Sequence, residues 1–503
     1  MSYKNFSKFR FINRIKFINN IFSALCIAMI FYSVSYSQTP DTIWNKSYGG
    51  QIYLFPNSVR QTNNGGFITT GFIQPSNSNS FYAWLINTDS NGDTLWTKYI
   101  GSGSISYYGT SVTLSNDYQF ILSGYTYDFG PDTLNPFIAK IDTNGNILWT
   151  KVYNNISMTR ANSIQKTSDG GFILTGSSLP AGSDTSRIWL CKTDENGNVV
   201  WSNTYDYNFG SSIKQTSDGG YIAVGRTLWA AHDNSWDACM VKTDADGNMV
   251  WEKELGGDGN YYDDAKDVQQ TNNGNYIVVG FTEAFGSAGF YDLWLFKLDG
   301  NGDTMWTKTF GGTHDDEGYS INKTSDGNYI VLGITSSFSS GVSPDAWLIK
   351  VNADGESLWD ETIGGSGSDY GYSVRQTNDG GYIITGKTES YGQGGIWLSK
   401  VGADITSVHN NISGVISDYR LSQNYPNPFN PSTTIKYQVP TEGPVELSVY
   451  NVLGQKVAAL VNEDVHAGSY EIQFNGLKLA SGIYLYKLHA GSFNEIKKMI
   501  LLK

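Results

Sequence analysis

The sequence predicts an all-β protein, in which a seven-bladed β-propeller is followed by a small C-terminal β-sandwich. Two observations carry this prediction. After residue 401, short segments of alternating apolar and polar residues replace an internal repeat. The repeat itself is marked by seven tryptophans that recur every 50 to 55 residues, namely Trp44, Trp96, Trp149, Trp201, Trp251, Trp306 and Trp359.

The N-terminal segment has the pattern of a targeting sequence. A basic region with five Lys and Arg residues precedes an apolar run from Ile21 to Val34. Ser35 and Ser37 then supply the small residues that precede a cleavage site, so we predict a signal peptide over residues 1–37 and cleavage before Gln38. A membrane anchor is the alternative, and the short apolar run favours the signal peptide.

The charge balance limits the partners of the protein. The chain has 34 basic and 47 acidic residues, a net charge of −13. Loss of the five basic residues in the signal peptide leaves 29 against 47, a net charge of −18. A surface of this sign repels nucleic acid, so we expect no nucleic-acid partner.

Each repeat contains phrases that predict four strands. Gln215–Gly225, Lys323–Gly333 and Gln376–Gly386 share a Thr-x-Asp-Gly turn between two β-rich runs, which is typical of a hairpin. A third phrase, Ala346–Gly355, contains a Trp-Leu-Ile run that is apolar at every position. A strand of that kind must be covered on both faces, as the middle strands of propeller blades are.

The ends of the repeat region predict how the ring closes. The last repeat stops after Ile396–Val401 and lacks a fourth strand, whereas Thr42–Tyr48 resembles a fourth strand and precedes the first complete repeat. We therefore expect the strand around Trp44 to pair with the strand around Trp397 in a propeller spanning residues 38–402, which removes an open sheet edge. Cys191 and Cys239 replace apolar residues of other repeats, and we predict that they are core residues rather than reactive thiols.

An Asp-x-Asn/Asp-Gly turn recurs between the predicted third and fourth strands. Oxygen atoms at alternate positions would suit calcium, and this is the one cofactor that the sequence leaves open. The alternative is a hairpin turn, in which the first Asp caps its own backbone and Gly takes the left-handed conformation. We favour the hairpin turn, since no Glu follows at the distance that a calcium loop requires. The copies begin at Asp89, Asp142, Asp194, Asp244, Asp299 and Asn352.

These turns, together with the tryptophans that follow them, resemble repeats of known propellers. The spacing from Asp through Gly to Trp is similar to the tryptophan-docking repeat of quinoprotein-like propellers, with a turn one residue shorter, and the region also resembles kelch-like propellers. The Asp-boxes of sialidase-like propellers are similar too, with a closer Gly and aromatic residue. These resemblances imply the fold and carry over no catalytic residue.

The C-terminal region begins after a polar linker, which we place at residues 403–418. Residues 419–503 contain the phrase Leu421–Pro431, with four Asn or Gln and three Pro residues, and then alternating strands up to the terminal Lys497–Lys503. This region closely resembles the C-terminal sorting domain of type IX secretion cargo. The resemblance implies a small β-sandwich, recognition by the type IX secretion machinery, and delivery through the periplasm to the outer surface or the medium of a Gram-negative bacterium.

The propeller has few residues for catalysis. Its only histidines are His232 and His314, and neither has the spacing of a metal site or a catalytic triad. We predict no catalytic residue and no cofactor other than the open case of calcium.

One set of residues is a candidate binding site. Loops that enter first strands and loops that connect second to third strands share one face of a propeller, and aromatic side chains beside carboxylates suit sugars or cations. The alternative is a set of solvated acidic loops. The candidates, on consecutive repeats, are Trp229, His232, Trp236, Asp263, Asp264, His314, Asp315, Asp316, Glu317, Asp369 and Tyr370.

Two classes of function follow. The scarcity of histidine and the near-uniform repeats favour a non-catalytic, monomeric binding or adhesion protein, whose partner is an extracellular glycan or a surface protein. The alternative is an extracellular hydrolase or lyase that acts on polysaccharide through paired carboxylates of the rim. A cofactor-dependent quinoprotein enzyme is a third and more distant interpretation.

Overall fold

The computed structural model describes residues 39–502 apart from short internal segments. These segments are residues 51–53, 76–77, 102, 129–132, 155–157, 229–234, 258–260, 287–289, 340–342, 393, 405–418, 425–426 and 492. Every regular element of the described residues is a β-strand, and none of the described residues forms a helix long and apolar enough to cross a membrane. The predicted signal peptide lies outside the described residues. Residues 405–418 of the predicted linker also lie outside them.

The first 28 strands form seven four-stranded antiparallel sheets within the described residues. Strand β1 is Thr42–Gly49. Sheet 1 contains β2 Leu54–Gln61, β3 Phe67–Ile73, β4 Tyr82–Thr88 and β5 Thr94–Ile100. Sheet 2 contains β6 Ile105–Leu114, β7 Phe120–Asp128, β8 Thr133–Ile141 and β9 Ile147–Val152. Sheet 3 contains β10 Thr159–Lys166, β11 Phe172–Ser178, β12 Arg187–Thr193 and β13 Val199–Tyr205.

The remaining sheets of this region follow the same order. Sheet 4 contains β14 Phe209–Gln215, β15 Tyr221–Leu228, β16 Trp236–Thr243 and β17 Met249–Leu255. Sheet 5 contains β18 Asp263–Gln270, β19 Tyr276–Thr282, β20 Asp292–Leu298 and β21 Thr304–Phe310. Sheet 6 contains β22 Asp316–Lys323, β23 Tyr329–Thr335, β24 Asp345–Val351 and β25 Ser357–Ile363. Sheet 7 contains β26 Asp369–Gln376, β27 Tyr382–Thr388 and β28 Gly395–Val401, and its outer strand is β1.

The pairing of the chain's first strand with its last repeat is confirmed. Strand β1 runs antiparallel to β28, with Ser47 opposite Trp397 and Trp44 opposite Lys400. Each sheet packs on the next through its second strand and the first strand of that neighbour, and sheet 7 packs on sheet 1 through β27 and β2. The seven first strands also contact one another in sequence, so they surround a central channel.

The core lies between neighbouring sheets. The third strands of sheets 5, 6 and 7 are buried at every residue, as the uninterrupted apolar runs predict. One buried cluster joins Val279 and Leu295 of sheet 5 to Tyr329 and Val331 of sheet 6. Because every described sheet packs in this way, the fold rests on apolar burial rather than on cross-links.

The two cysteines of the propeller are core residues, as predicted. Cys191 and Cys239 are both fully buried and free. Burial raises the pKa of the Cys191 thiol to about 12 and places that of Cys239 well above its usual value. Neither thiol is therefore a nucleophile near neutral pH.

The Asp-x-Asn/Asp-Gly segments form the predicted hairpin turns. In the first copy, Asp89 Oδ1 accepts hydrogen bonds from the amides of Asn91 at 2.8 Å and Asp93 at 2.9 Å. Gly92 has a φ of 78°, which is the left-handed conformation that glycine tolerates. The same two amide contacts recur in the copies that begin at Asp142, Asp194, Asp244, Asp299 and Asn352.

The periodic tryptophans pack on the turn of the next sheet. The ring of Trp251 lies so close to Gly302 that a Cβ atom there would be 3.0 Å from it, and Trp251 Nε1 donates a 3.1 Å hydrogen bond to the carbonyl of Gly300. The tryptophans therefore recur about every 52 residues because each repeat uses one of them to contact the turn of the next sheet. The equivalent pairs are Trp44 with Gly92, Trp96 with Gly145, Trp149 with Gly197, Trp201 with Gly247 and Trp306 with Gly355.

The C-terminal region forms two further sheets. Its strands are β29 Arg420–Leu421, β30 Ser432–Val439, β31 Gly443–Asn451, β32 Lys456–Val465, β33 Gly468–Asn475, β34 Gly482–Ala490 and β35 Phe493–Leu501. One sheet has the order β29-β30-β33 and the other β32-β31-β34-β35. Both sheets contribute to one apolar core, in which Ile435 of the first sheet and Leu447 of the second are fully buried.

Candidate functional site

The first strands of the seven sheets define one end of the central channel. In every sheet one first-strand residue lies at this end, and the residue that follows it pairs with a glycine of the second strand. We call this end of the channel the mouth. Its first-strand residues are Phe55, Tyr108, Arg160, Phe209, Asp264, Glu317 and Tyr370.

Sheets 1 and 2 carry a continuous set of aromatic rings at the mouth, which we call the aromatic arc. Its members are Phe55, Phe72, Phe81, Tyr108 and Tyr125. Phe55 stacks on Phe72 with ring centroids 4.9 Å apart, and Tyr108 stacks on Tyr125 at 4.7 Å. Phe72 meets Tyr108 edge to face at 4.9 Å, which joins the two stacks across the boundary between the sheets.

The aromatic arc is accessible at its first member. Phe55 is 44% exposed, and Phe72, Phe81, Tyr108 and Tyr125 are half-buried. Arg160 of sheet 3 extends the arc, with its guanidinium 5.4 Å from the centroid of the Tyr125 ring. A contiguous group of rings with an exposed member is a candidate binding surface.

Sheets 4 to 6 carry charged side chains at the mouth, which we call the charged arc. Its members are Arg226, Asp264, Lys266, Glu317 and Tyr319. Asp264 Oδ2 accepts from Arg226 at 2.8 Å and from Lys266 at 2.7 Å, although the Asp264 side chain is only 1% exposed. Two cations thus neutralise the buried carboxylate, which is the condition for keeping it charged away from water.

Glu317 continues the charged arc into sheet 6. It accepts a 2.6 Å hydrogen bond from Tyr319 Oη. Burial raises the pKa of Glu317, and the neighbouring carboxylates Asp315 and Asp264 also raise it, against the hydrogen bond from Tyr319 and the charge of Lys266. Burial together with Glu317 also raises the pKa of Tyr319, so this hydroxyl remains a hydrogen-bond donor.

Two of the predicted site residues, Trp229 and His232, lie outside the described residues. Trp236 is described, and its ring lies 4.0 Å from the guanidinium of Arg226. Because Arg226 also binds Asp264, the structure brings Trp236 and Asp264 into one group through a residue that the sequence analysis did not select.

Three predicted site carboxylates occupy positions different from those expected. Asp263, Asp316 and Asp369 are the first residues of β18, β22 and β26 and are fully buried, rather than side chains of solvated loops. Asp316 Oδ2 accepts from the Gly312 amide at 2.9 Å and from Ser337 Oγ at 2.6 Å.

The amide contact recurs at the other two carboxylates, and each of them also accepts from a hydroxyl at or just after the end of the second strand. Asp369 accepts from the amide of Gly365 at 2.9 Å and from Ser390 Oγ at 2.5 Å, and Asp263 accepts from the amide of Gly257 at 3.1 Å and from Thr282 Oγ1 at 2.5 Å. These side chains therefore join the loop that precedes a first strand to the end of the second strand. Each carboxylate thereby supplies an acceptor for a backbone amide of its loop.

The remaining predicted residues lie near the charged arc. His314 and Asp315 are exposed on the loop before β22, where Asp315 Oδ1 accepts from the Tyr291 amide at 3.2 Å. Tyr370 stacks on Tyr372 with ring centroids 6.4 Å apart, and Tyr372 meets Tyr319 at 5.3 Å. Tyr370 is thereby connected to the charged arc across sheets 6 and 7.

The residues that the structure describes include no group of three or more His, Cys, Asp or Glu side chains placed to hold a metal ion. In the Asp-x-Asn/Asp-Gly turns, the oxygen Oδ1 of the first residue already accepts two backbone hydrogen bonds, as in the copy at Asp89.

The sequence analysis missed the aromatic arc and Arg226. Phe55, Tyr108 and Tyr370 stand seven residues before the Thr or Ser that begins each hairpin turn, so an alignment of the repeats on that residue would have shown their common position. Phe72 and Tyr125 follow the glycine of the second strand and were hidden within strands that the analysis assigned to packing.

The ring of four-stranded sheets around a channel defines a β-propeller protein. Beyond it, residues 423–502 match the family of secretion system C-terminal sorting domains, so this resemblance is confirmed. The sorting domain indicates export by the type IX secretion system to the cell surface or the extracellular space, and an interaction with that secretion machinery.

No curated protein matches the chain. Among solved structures, a puromycin hydrolase mutant complexed with PGG is 12% identical with a TM-score of 0.45, over 78% of this chain and 59% of that chain. The chain thus spans 59% of the length of that hydrolase.

Two further solved structures have similar scores. The β-propeller domain of the Trilobed protease from Pyrococcus furiosus is 11% identical, with a TM-score of 0.40, over 70% of this chain and 94% of that chain. The α-L-arabinanase of Penicillium chrysogenum, complexed with arabinobiose, is 12% identical with a TM-score of 0.39, over 73% of this chain and 98% of that chain.

Proposed function

We propose that the protein is a non-catalytic binding or adhesion protein, and that its propeller mouth binds an extracellular glycan. In this proposal the seven sheets are the blades of a closed seven-bladed propeller over residues 38–402. A linker at 403–418 leads to a C-terminal β-sandwich at 419–503. The chain enters the periplasm, is cleaved before Gln38 and acts as a monomer outside the cell.

The observation that carries the proposal is the aromatic arc. Sugar rings have apolar C–H faces that pack on flat aromatic rings, and rigid aromatic side chains supply such contacts at a low cost in conformational entropy. The arc extends across the boundary of two sheets through the contact of Phe72 with Tyr108, so it offers a surface larger than one ring. A contiguous apolar surface rimmed by polar residues is typical of a ligand-binding site.

The charged arc supplies the polar groups that such a site needs. Arg226, Lys266 and Tyr319 place donors at the mouth, and Glu317 places a carboxylate acceptor there, whereas the buried Asp264 positions Arg226 and Lys266. Hydrogen bonds to sugar hydroxyls give orientation, whereas the stacked rings give affinity. The predicted residues Trp236, His314, Asp315 and Tyr370 surround this arc and belong to the proposed site, with calcium as a further ligand to be tested beside Asp315.

The test is a glycan-binding screen on purified residues 38–503, followed by titration of each glycan that binds. We expect Phe55→Ala and Tyr108→Ala each to weaken binding about two- to tenfold, since stacking on one aromatic ring contributes about 0.5–1.5 kcal/mol. Tyr99→Ala is the matched control, because Tyr99 is 49% exposed but lies on β5 at the outside of sheet 1. Thermal unfolding of each variant checks that it is folded.

Two results would contradict the proposal. One is equal binding by the wild type and by a folded Phe55→Ala, Tyr108→Ala double variant. The other is an equal loss of affinity in the Tyr99→Ala control, which would place the glycan outside the mouth.

The hydrolase or lyase alternative has one specific observation in its favour. Glu317 and Asp264 lie on neighbouring sheets and interact electrostatically, and the raised pKa of Glu317 is what a general acid needs. Its test is the release of new reducing ends or unsaturated products from the glycans that bind. If products are released by the wild type and not by Glu317→Gln, the protein is an enzyme and the binding proposal is wrong. If the glycan remains intact after long incubation, the result supports binding alone.

A further inference from the structure

The central channel contains a cavity that is separate from the aromatic arc. Its volume is about 480 Å³, and side chains from all seven first strands line it. The lining includes five cationic side chains and one carboxylate, although the whole chain has a net charge of −13. The cations are Arg60, Lys166, Lys214, Lys266 and Arg375, and the carboxylate is Asp267.

Asp267 occupies a position that is serine in the other six sheets. The strand registers make it equivalent to Ser58, Ser111, Ser163, Ser212, Ser320 and Ser373. Asp267 Oδ1 accepts from Ser212 Oγ at 2.6 Å and from Lys214 Nζ at 3.0 Å, and Oδ2 accepts from the Ile321 amide at 3.2 Å. Sheet 5 therefore contributes a carboxylate to the channel wall, next to the cationic side chains.

The cations of the channel outnumber this carboxylate. Among the residues that the structure describes, Lys214 forms an ion pair with Asp267, and Arg60 and Arg375 have no carboxylate within 4.0 Å. Arg375 instead donates to the carbonyl of Val374 at 2.6 Å and to Ser320 Oγ at 3.2 Å, and Arg60 donates to the carbonyl of Val59 at 2.8 Å. Each guanidinium has five donors, so both keep unused donors beside the cavity.

The pKa values of these groups also indicate that the cationic side chains repel one another. Burial lowers the pKa of Arg60, and its neighbour Arg375 lowers it further against the attraction of Asp267. Burial also lowers the pKa of Lys214, where Asp267 opposes the repulsion from Arg375 and Arg60. An anion that binds in the cavity reduces the electrostatic repulsion between these cationic side chains.

We propose that the channel binds the oxyanion group of a small ligand, through Arg60 and Arg375 of the adjoining sheets 1 and 7 together with Lys214. The group is a carboxylate, a sulfate or a phosphate, because planar guanidinium groups bind these oxygens with two parallel hydrogen bonds. The cavity volume accommodates a small molecule or a single acidic sugar unit. The cavity shares Lys266 and Tyr319 with the charged arc, whereas Arg60, Arg375 and Lys214 line the cavity alone, so this proposal does not depend on glycan binding at the aromatic arc.

The first experiment is calorimetric titration of purified residues 38–503 with sulfate, phosphate and glucuronate, at an ionic strength held constant with sodium chloride. We expect saturable binding of one anion to each chain, and the order of the three affinities identifies the oxyanion. If none of the three binds above the chloride background, the proposal is wrong.

Two variants with opposite expected effects then test the location. Arg375→Gln removes a cation and should weaken binding about tenfold, since a charge-assisted hydrogen bond contributes about 1.5 kcal/mol. Asp267→Ser restores the residue of the other six sheets and removes the competing carboxylate, so it should strengthen binding about tenfold. Arg187→Gln is the control, because Arg187 is an exposed arginine whose partner is Asp206 on the surface.

The pair of variants also separates binding from folding. A general loss of stability would weaken binding in both, whereas the proposal requires opposite signs. Unchanged affinity in both folded variants, or a loss in Arg187→Gln equal to that in Arg375→Gln, would overturn the channel as the site. If Arg375→Gln fails to fold, the gain of affinity in Asp267→Ser decides the question.

Discussion

Tyr48 Oη donates a 2.6 Å hydrogen bond to the carbonyl oxygen of Gly92. Tyr48 belongs to the first strand of the chain, which completes sheet 7, and Gly92 lies in the turn between β4 and β5 of sheet 1. The hydrogen bond therefore joins the last sheet to the first. The ring of Trp44 and the ion pair between Lys46 and Asp93 contact the same turn.

Gly92→Ala should destabilise the propeller more than Gly65→Ala. Both glycines have a left-handed φ, so both alanines carry the backbone cost of about 1–2 kcal/mol. A Cβ atom at Gly92 would also lie 2.9 Å from the Trp44 ring, whereas at Gly65 no atom lies within 4 Å. We expect an additional cost of about 1–3 kcal/mol at Gly92, measured by denaturant unfolding. Equal losses in the two variants would show that the contact with Trp44 contributes nothing to stability.

The acid stability of the propeller should depend on a repeated ion pair. Asp218 of one hairpin turn binds the buried Lys242 at 2.9 Å, and the pairs Asp169 with Lys192 and Asp326 with Lys350 are equivalent. Partial burial raises the pKa of each carboxyl, but hydrogen bonds and the lysine charge outweigh it and hold the pKa at about 2.

Because these pKa values are lowered in the folded state, the stabilisation is complete above about pH 4 and is lost as the pH falls through about 2. The triple variant with Asn at residues 169, 218 and 326 should therefore lose less melting temperature than the wild type between pH 5 and 2. Glu195→Gln, at an exposed position on sheet 3, is the control. Parallel melting profiles of the wild type and the triple variant would refute this role of the ion pairs.

Asp264→Ala and Asp315→Ala should have different consequences. Removal of the Asp264 carboxylate leaves Arg226 and Lys266 without their shared partner, and we expect a loss of about 3 kcal/mol in unfolding free energy. Asp315 is exposed, so its substitution should leave stability within about 0.5 kcal/mol.

The same two variants test the predicted rim site for a sugar or a cation. Calcium and the glycans that bind the wild type are titrated into each folded variant at matched ionic strength. Lower affinity in Asp315→Ala supports a ligand at the rim of the mouth. Affinity that is unchanged in a folded Asp315→Ala protein excludes this loop from the site.

Deletion of residues 419–503 should prevent export without unfolding the propeller. The buried core of the C-terminal domain takes all its members from residues 421–501, so its loss opens no cavity among the sheets of the propeller. We expect the truncated protein to accumulate in the periplasm as a protease-resistant species. Cell fractionation with limited proteolysis measures this, and a truncated chain that still reaches the medium would contradict the sorting function.

The sequence by itself determined the number and order of the strands in each repeat. Three local patterns carry this information: the period of the tryptophans, the Asp-Gly turns and the uninterrupted apolar runs. Hydrogen bonds within each repeat and burial of the apolar runs produce the same strands in every repeat. The missing fourth strand after Val401 and the surplus strand at Thr42 also predicted the pairing of β1 with β28. The C-terminal motifs predicted the sorting domain in the same way.

Only the tertiary structure decided what the side chains at the mouth and in the channel do. Asp316 and Asp264 are acidic residues near first strands in the sequence, yet one accepts backbone amides and the other neutralises Arg226 and Lys266. Phe55 and Tyr108 are 53 residues apart in the chain and meet through Phe72. The physical reason is that a first strand presents alternate residues to the channel and to its neighbours, so the register and the ring determine which charges and rings meet.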